Sequence, residues 1–365
     1  MKGAHINFHH VATLKNDLES PMKKHFLVTC AALALALPSQ AQDYPSLSLK
    51  MAHPLAQTFP GAEWDKWFAE EIEKRSGGKI KIQIFWSGQL GGLTEIKNLV
   101  GNGAVDIGVF AQAVHASELP LTSVSAGLLN RVSADAKTGS ELARASYATK
   151  TVTDELQAQN LKVIKWTVPS PYKLLCNKAV NTSADLKGLK VRAVGGAYVP
   201  IWMEAYGMVP TRVQATEIRE GLQRGTLDCN FGPIEWTPFS DLQKVAPYLS
   251  DLNTGSFTTF QMYVPAKAYN AWPRSVQTLF TQVAQEAMQK DLAALPKVEA
   301  DAMDKFKATG GSIVQMKDLQ NFIARSPDMI QIWVDKSTKD GLGEKIKELI
   351  PLQRKAAQSF ANSRN

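Results

Sequence analysis

Two strand-like periods flank one helical period near the start of the folded region, and this order restricts the fold more than any other feature of the chain. Leu47, Leu49 and Met51 alternate with Ser48 and Lys50, and Ile80, Ile82 and Ile84 alternate with Lys79, Lys81 and Gln83. That is the period of strands with one covered face. Between them Trp64, Trp67, Phe68 and Ile72 recur at three- and four-residue spacing, and Gly77-Gly78 supplies a stop that accepts the left-handed conformation. A second helical stripe of Leu93, Ile96, Leu99 and Val100 and a short strand, Val105 to Phe110, complete a β-α-β-α-β unit. Such a unit predicts a mainly parallel sheet with helices on both faces.

The alternation continues with different lengths. Strands are predicted at Lys162 to Thr167, Tyr172 to Asn177, Leu189 to Ala193, Thr226 to Phe231 and Met262 to Val264. Helices are predicted at Val199 to Tyr206, Thr216 to Arg224 and Glu235 to Val245, with long ones at Ser275 to Leu295 and Lys345 to Phe360. Pro169-Ser170-Pro171 breaks the chain between two strands. Breaks near Pro169 and Thr259 mark crossovers between two α/β lobes, one built from 43–168 with about 260–310 and the other from 169–259 with about 311–365.

Upstream of these elements lies an export pattern. Met22-Lys23-Lys24-His25 is a basic start, Phe26 to Leu37 is a 12-residue apolar run, and Pro38-Ser39-Gln40-Ala41 ends in small residues at the spacing signal peptidase accepts. A membrane span needs about 20 apolar residues, so the run reads as a cleaved signal and not as an anchor. Translation is expected to start at Met22, cleavage to follow Ala41, and the mature chain to be periplasmic and not membrane-embedded. The neighbours of Cys30 fit a lipoprotein signal poorly.

Removing residues 1–41 takes away four lysines and two acidic residues, so the formal charge falls from +7 to +5. The remaining basic residues mix with acids, as in Lys336 to Glu348, and give no footprint for nucleic acid. A composition of 44% hydrophobic and 21% charged residues excludes a disordered tail or fibrous repeat. Two histidines are left, His53 and His115, read as loop or surface residues. In an oxidising compartment the two remaining cysteines, Cys176 and Cys229, read as one disulfide or as two buried thiols. No nucleophile elbow, zinc-protease motif or phosphate loop is present, so no catalytic residue, metal or cofactor is expected. A hydrolase or lyase using Glu217 or Glu235 as acid or base is the rival enzyme reading. Glu70-Glu71, with Lys66 and Lys74 nearby, reads as an ion-paired helix face.

The most specific stretch runs from Ser183 to Pro233. It contains Ala184-Asp185-Leu186-Lys187-Gly188-Leu189-Lys190-Val191-Arg192, then Pro210, Glu217 and Gly221-Leu222-Gln223-Arg224-Gly225-Thr226-Leu227-Asp228. This resembles the substrate-binding proteins of tripartite ATP-independent periplasmic (TRAP) transporters, the DctP family. Phe68 to Gly91 and Gly103 to Ile107 resemble the family's first half, and the likeness extends from Leu47 to about Leu352.

The resemblance implies a periplasmic-binding-protein-like α/β fold, two lobes with a hinge and a ligand cleft between them. It further implies a monomer that closes on one small organic acid and delivers it to the membrane permease subunits. Receptors for ABC importers and sensory receptors are rivals of similar shape. Arg192 matches the family arginine that grips a ligand carboxylate with two prongs, a geometry lysine does not provide. A second family arginine falls near Tyr172-Lys173. Where the family often reads G-Q-E-N-P, this chain has Cys229-Asn230-Phe231-Gly232-Pro233, which keeps a polar Asn230 but places Gly232 where an asparagine usually points into the cleft. Loops at the carboxyl ends of first-lobe strands nominate His53, Gln57, Gln89, Phe110 and Gln112. Trp236 and Phe257 are read as an apolar wall or as core.

Overall fold

The computed structural model describes residues 43–125, 130–193, 196–213 and 217–362. The expected signal segment, Met22 to Ala41, lies outside them. In the first half, β1 (Leu47–Ala52), α1 (Glu63–Arg75), β2 (Ile80–Phe85), α2 (Ile96–Gly101) and β3 (Ile107–Phe110) follow the order read from the sequence. β1 pairs in parallel with β2 from Leu47↔Ile80 to Ala52↔Phe85, so the two alternating apolar sets share one register. α1 covers them by burying Phe68, Ala69 and Ile72.

Three short helices, α3 (Pro120–Ser125), α4 (Ala136–Tyr147) and α5 (Lys150–Ala158), precede β4 (Leu161–Trp166). Their faces are rich in alanine, serine and threonine, so no large apolar stripe announces them. Caps do: Asp135 accepts from the Thr138 N–H and Thr149 from the Val152 N–H.

The chain then builds a second sheet from β5 (Lys173–Cys176), β6 (Lys190–Arg192), β7 (Val209–Thr211), β8 (Cys229–Gly232) and β9 (Tyr248–Ser250), with α6 (Tyr198–Ala205) and α7 (Ile218–Arg224) between strands. It returns to the first sheet as β10 (Gln261–Pro265), followed by α8 (Ala266–Ala271) and α9 (Arg274–Ala308), and comes back once more as β11 (Ser312–Val314). The sheets run β2-β1-β3-β10-β4 and β11-β9-β5-β8-β6-β7. β10 is antiparallel to β3 and β4, and β5 is antiparallel to β8 and β9. Each sheet thus has one reversed strand, placed beside a crossover. Cys176 and Cys229 face each other in the β5–β8 register and are joined by a disulfide.

α9 has 35 residues, about 52 Å at 1.5 Å per residue. Its first half packs Val276, Phe280 and Val283 beside Met51, Phe68 and Ile72 of the first sheet's core. Its last turns pack Ala302 and Phe306 with Leu222 and Leu249 of the second. The sequence reading stopped this helix at Leu295 because Pro296 follows. Pro296 removes one helical hydrogen bond, yet apolar burial on both sides carries the helix through it.

Two further expectations are corrected. Glu235 to Val245 is not a helix but three short 3-10 turns, Ile234–Trp236, Pro238–Ser240 and Leu242–Lys244. Pro238 interrupts the backbone hydrogen bonding, and Asp241 takes a left-handed φ of 51°. The C-terminal helices α10 (Leu319–Ala324), α11 (Met329–Lys339) and α12 (Ile350–Asn362) do not all stay with the second sheet. α11 packs on α6, whereas α12 lies along α4.

Candidate functional site

Strand direction decides which residues meet. In the second sheet the ends of β6, β7 and β8 and the start of the reversed β5 lie at one edge, which therefore carries Arg192, Thr211, Gly232 and Lys173. In the first sheet the ends of β1, β2, β3 and β4 and the start of β10 form the equivalent edge, with Ala52, Phe85, Phe110, Trp166 and Gln261. Open α/β sheets bind ligands at such carboxyl edges.

Arg192 ends β6 in register with Thr211 on one side and Asn230 on the other. Paired residues of neighbouring strands project to the same face about 4.8 Å apart, which sets Arg192 beside Asn230. The Arg192 Nε is buried with no hydrogen-bond partner. Among the described residues no carboxylate stands within ion-pair distance of this guanidinium. Burial holds it below the usual arginine range, and the Tyr172 phenol works against that shift. Burial also pushes Tyr172 up, so it stays a neutral phenol. Asn230 is 6% exposed, and its Oδ1 is likewise buried and unpartnered. Lys173 pairs with Gly232 in register and shares this face. Burial lowers its ammonium, against the pull of Glu299 and Asp251.

By the same alternation Tyr172 and Phe231 lie on the other face of these strands, among aromatic rings. Tyr172 meets Phe257 at 4.8 Å, Phe231 at 5.0 Å and Trp236 at 6.0 Å between centroids. Phe257 is fully buried with Phe231 and packs as core, whereas Trp236 is partly exposed. Phe59, from the segment after β1, reaches Trp236 at 5.3 Å and Phe239 at 5.2 Å, linking the first sheet's loop to the 3-10 turns after β8. A Cβ on Gly232 would stand 3.2 Å from the Asn230 Nδ2 and 3.9 Å from the Trp236 ring.

The first-lobe nominees divide. Gln57 and Gln89 are exposed. Phe110 is wholly buried, stacked on Tyr263 at 4.2 Å. Gln112 is also buried: its Oε1 accepts from Tyr147 at 3.0 Å and Tyr263 at 3.3 Å, and its backbone N–H donates to Gln261 Oε1. It ties β3 to β10, a role the sequence reading missed together with Gln261.

Both histidines are buried, not surface residues. Leu55 N–H donates to His53 Nδ1, which leaves Nε2 to donate to Asp65 at 3.0 Å. His115 meets the Leu93 carbonyl at 3.2 Å and Glu118 at 3.4 Å. Asp65 also holds the buried Lys165. Burial pushes the Asp65 carboxyl up, and Lys165 and His53 outweigh that effect and keep it low. An acid one helical turn before Phe68 on the buried face of α1 is the signal that could have revealed this pair. Glu235 accepts from the Ser170 N–H at 3.0 Å and from its hydroxyl, so it fastens the turn after β8 to the crossover. Burial raises its pKa. Nearby on α9, Asp291 is pushed up to about 7 by burial, with Lys165 opposing and Glu63, Asp65 and Glu235 adding to the rise. Among the described residues no group of histidines, cysteines and carboxylates could hold a metal ion, and no helix is long and apolar enough to cross a membrane.

The sequence pattern that defines DctP, "Bacterial extracellular solute-binding protein, family 7", matches residues 51–336. The chain is 21% identical over 346 residues to the ectoine-binding periplasmic protein TeaA of Halomonas elongata, covering 93% of this chain and 99% of that one. A TRAP solute-binding protein of Rhodoferax ferrireducens, in complex with copurified benzoate, superposes with a TM-score of 0.75 at 21% identity, over 87% of this chain and 100% of that one. A Bordetella pertussis extracytoplasmic solute receptor binding pyroglutamic acid does so with a TM-score of 0.73 at 19% identity, over 84% and 99%.

Proposed function

The chain belongs to the DctP family of bacterial extracellular solute-binding proteins, receptors and not enzymes, and from that premise we propose that it binds a small organic carboxylate in the periplasm for a TRAP permease. Arg192 carries this reading. The guanidinium of half-buried Arg192 has a buried, unpartnered Nε and no carboxylate partner, and a ligand carboxylate satisfies it through two parallel charge-assisted hydrogen bonds. In this reading Lys173, on the same face, is the second anchor. The acids named for solved relatives, benzoate, pyroglutamate and galacturonate, share only the carboxylate and a ring.

Ligand contacts to both sheet edges favour the shut arrangement of the two lobes, and the crossovers at Pro169 and Thr259 supply the hinge. A thermal-shift screen of small carboxylic acids tests the proposal. A ligand at 100 times its dissociation constant adds about 2.7 kcal/mol to stability. At least one carboxylate is expected to raise the transition, and neutral analogues of the same acid are not. A panel in which no carboxylate shifts it would contradict the reading.

A further inference from the structure

The first sheet ends on β4, which pairs only with β10. On this flank α4, α5, β4 and α8 enclose a cavity of about 250 Å³. All its lining residues lie on these elements or cap them, and none belongs to the second sheet or to the edge that carries Arg192. Tyr147 and Trp166 stand in its wall with ring centroids 5.2 Å apart. The polar end of each is engaged elsewhere: the Tyr147 hydroxyl donates to Gln112 Oε1, and the Trp166 indole N–H donates to the Ser140 hydroxyl. What they leave for the cavity is apolar ring, beside the buried Leu156 and Leu161.

The charge of the lining has one sign. Arg144 and Lys162 contribute to it and no carboxylate does. Among the described residues neither cation forms an ion pair or a side-chain hydrogen bond. Lys162 lies 4.8 Å from the centroid of the Tyr269 ring, a contact that uses none of the ammonium's three hydrogen-bond donors. It is half-buried, and burial lowers its pKa with no carboxylate acting in opposition. The acids nearby in sequence serve other places: Glu141 lines a separate cavity between α4 and α12, and Asp154 pairs with Lys150.

We infer that this cavity is a second ligand site, apart from the Arg192 edge, for a small aromatic monoanion, its ring against Tyr147 and Trp166 and its negative group on Arg144 and Lys162. The size agrees, since about 250 Å³ lies just below the about 300–1,000 Å³ of drug-sized sites. Each part of the ligand answers one part of the lining. A neutral ring gains the apolar wall and leaves both cations without a counter-charge. An inorganic anion meets the cations and leaves the rings against water. Only a ring that carries the charge satisfies both, and its ion pairs are charge-assisted hydrogen bonds, stronger than those of a neutral isostere. The site stands whatever the Arg192 edge binds.

The test is fluorine NMR titration of para-fluorobenzoate, with para-fluorobenzamide as its neutral isostere, into Arg192→Lys protein, whose second-sheet edge is altered while this cavity is not. The acid is expected to bind, and the amide to bind at least about tenfold more weakly. On the same background Arg144→Gln with Lys162→Met is expected to weaken the acid at least about tenfold, and Arg144→Gln alone about threefold. Arg144 is exposed, so the single variant keeps the comparison where the combined one does not fold. Binding of the acid to wild type but not to Arg192→Lys overturns the inference and leaves the carboxylate-receptor reading intact. No binding to either protein, an affinity that neither substitution moves, or an amide that binds as tightly as the acid overturns it as well.

Discussion

The Lys165 ammonium stands 2.9 Å from the Asp65 carboxylate, and both side chains are almost wholly buried. The pair joins α1 to β4 across the first sheet, and His53 at the end of β1 donates to the other oxygen of the same carboxylate. Removing one partner of such a pair leaves an unpaired buried charge, which costs about 3–5 kcal/mol. Asp65→Asn is therefore expected to lower unfolding stability by that amount in urea denaturation. Asp65→Leu combined with Lys165→Met is expected to recover most of the loss. A loss below about 1 kcal/mol for Asp65→Asn would mean that the pair is solvated.

Asp291 gives the opposite pH dependence to Asp65. Its carboxyl is pushed by burial up to about 7 in the folded protein from an ordinary value of 3.8. Between those values the folded state binds a proton that the unfolded state has released, so stability falls as pH rises through this window. Asp291→Asn removes that loss. The variant is expected to match the wild type near pH 4 and to exceed it by about 1–3 kcal/mol near pH 8, read from thermal melts across pH. A constant difference at all pH values would assign the effect to packing.

The disulfide between Cys176 and Cys229 closes a segment with a sequence separation of 53. Loop-closure entropy for that length corresponds to about 4 kcal/mol. Replacing both cysteines by alanine is expected to lower stability by about that much, with ligand affinity per folded molecule little changed. Denaturation of the reduced and oxidised wild type checks the same quantity, and coincident curves would contradict it.

Gly232 leaves room that its neighbours need. Gly232→Ala brings a Cβ to 3.2 Å from the Asn230 Nδ2, so the amide must shift. Ligand affinity is expected to fall on the order of tenfold, while the melt of the empty protein moves little. Unchanged affinity would show that Asn230 does not touch ligand.

Most strands were legible because their periods are local. Leu47 to Met51 and Ile80 to Ile84 alternate cleanly and pair in the register that alternation implies. Arg192 is nominated only by its motif, since a lone arginine at a strand end has no distinctive period. The pairings hidden in the sequence are long-range ones. Gln112 meets Gln261 across 149 residues, Glu235 meets Ser170 across 65, and Lys165 meets Asp65 only once α1 has docked on the sheet. His53 looked like a loop histidine because its partner lies on the next helix, 12 residues away. The false helix at Glu235 to Val245 arose from apolar spacing that Pro238 and the left-handed Asp241 override.

Whether Arg192 receives a ligand carboxylate is decided by calorimetric titration of the acid that most raises the melting transition, into wild-type protein and into Arg192→Lys. Loss of most affinity is expected in the variant, about 100-fold or more, with the melt of the empty protein nearly unchanged. Equal affinity in the two proteins would contradict it.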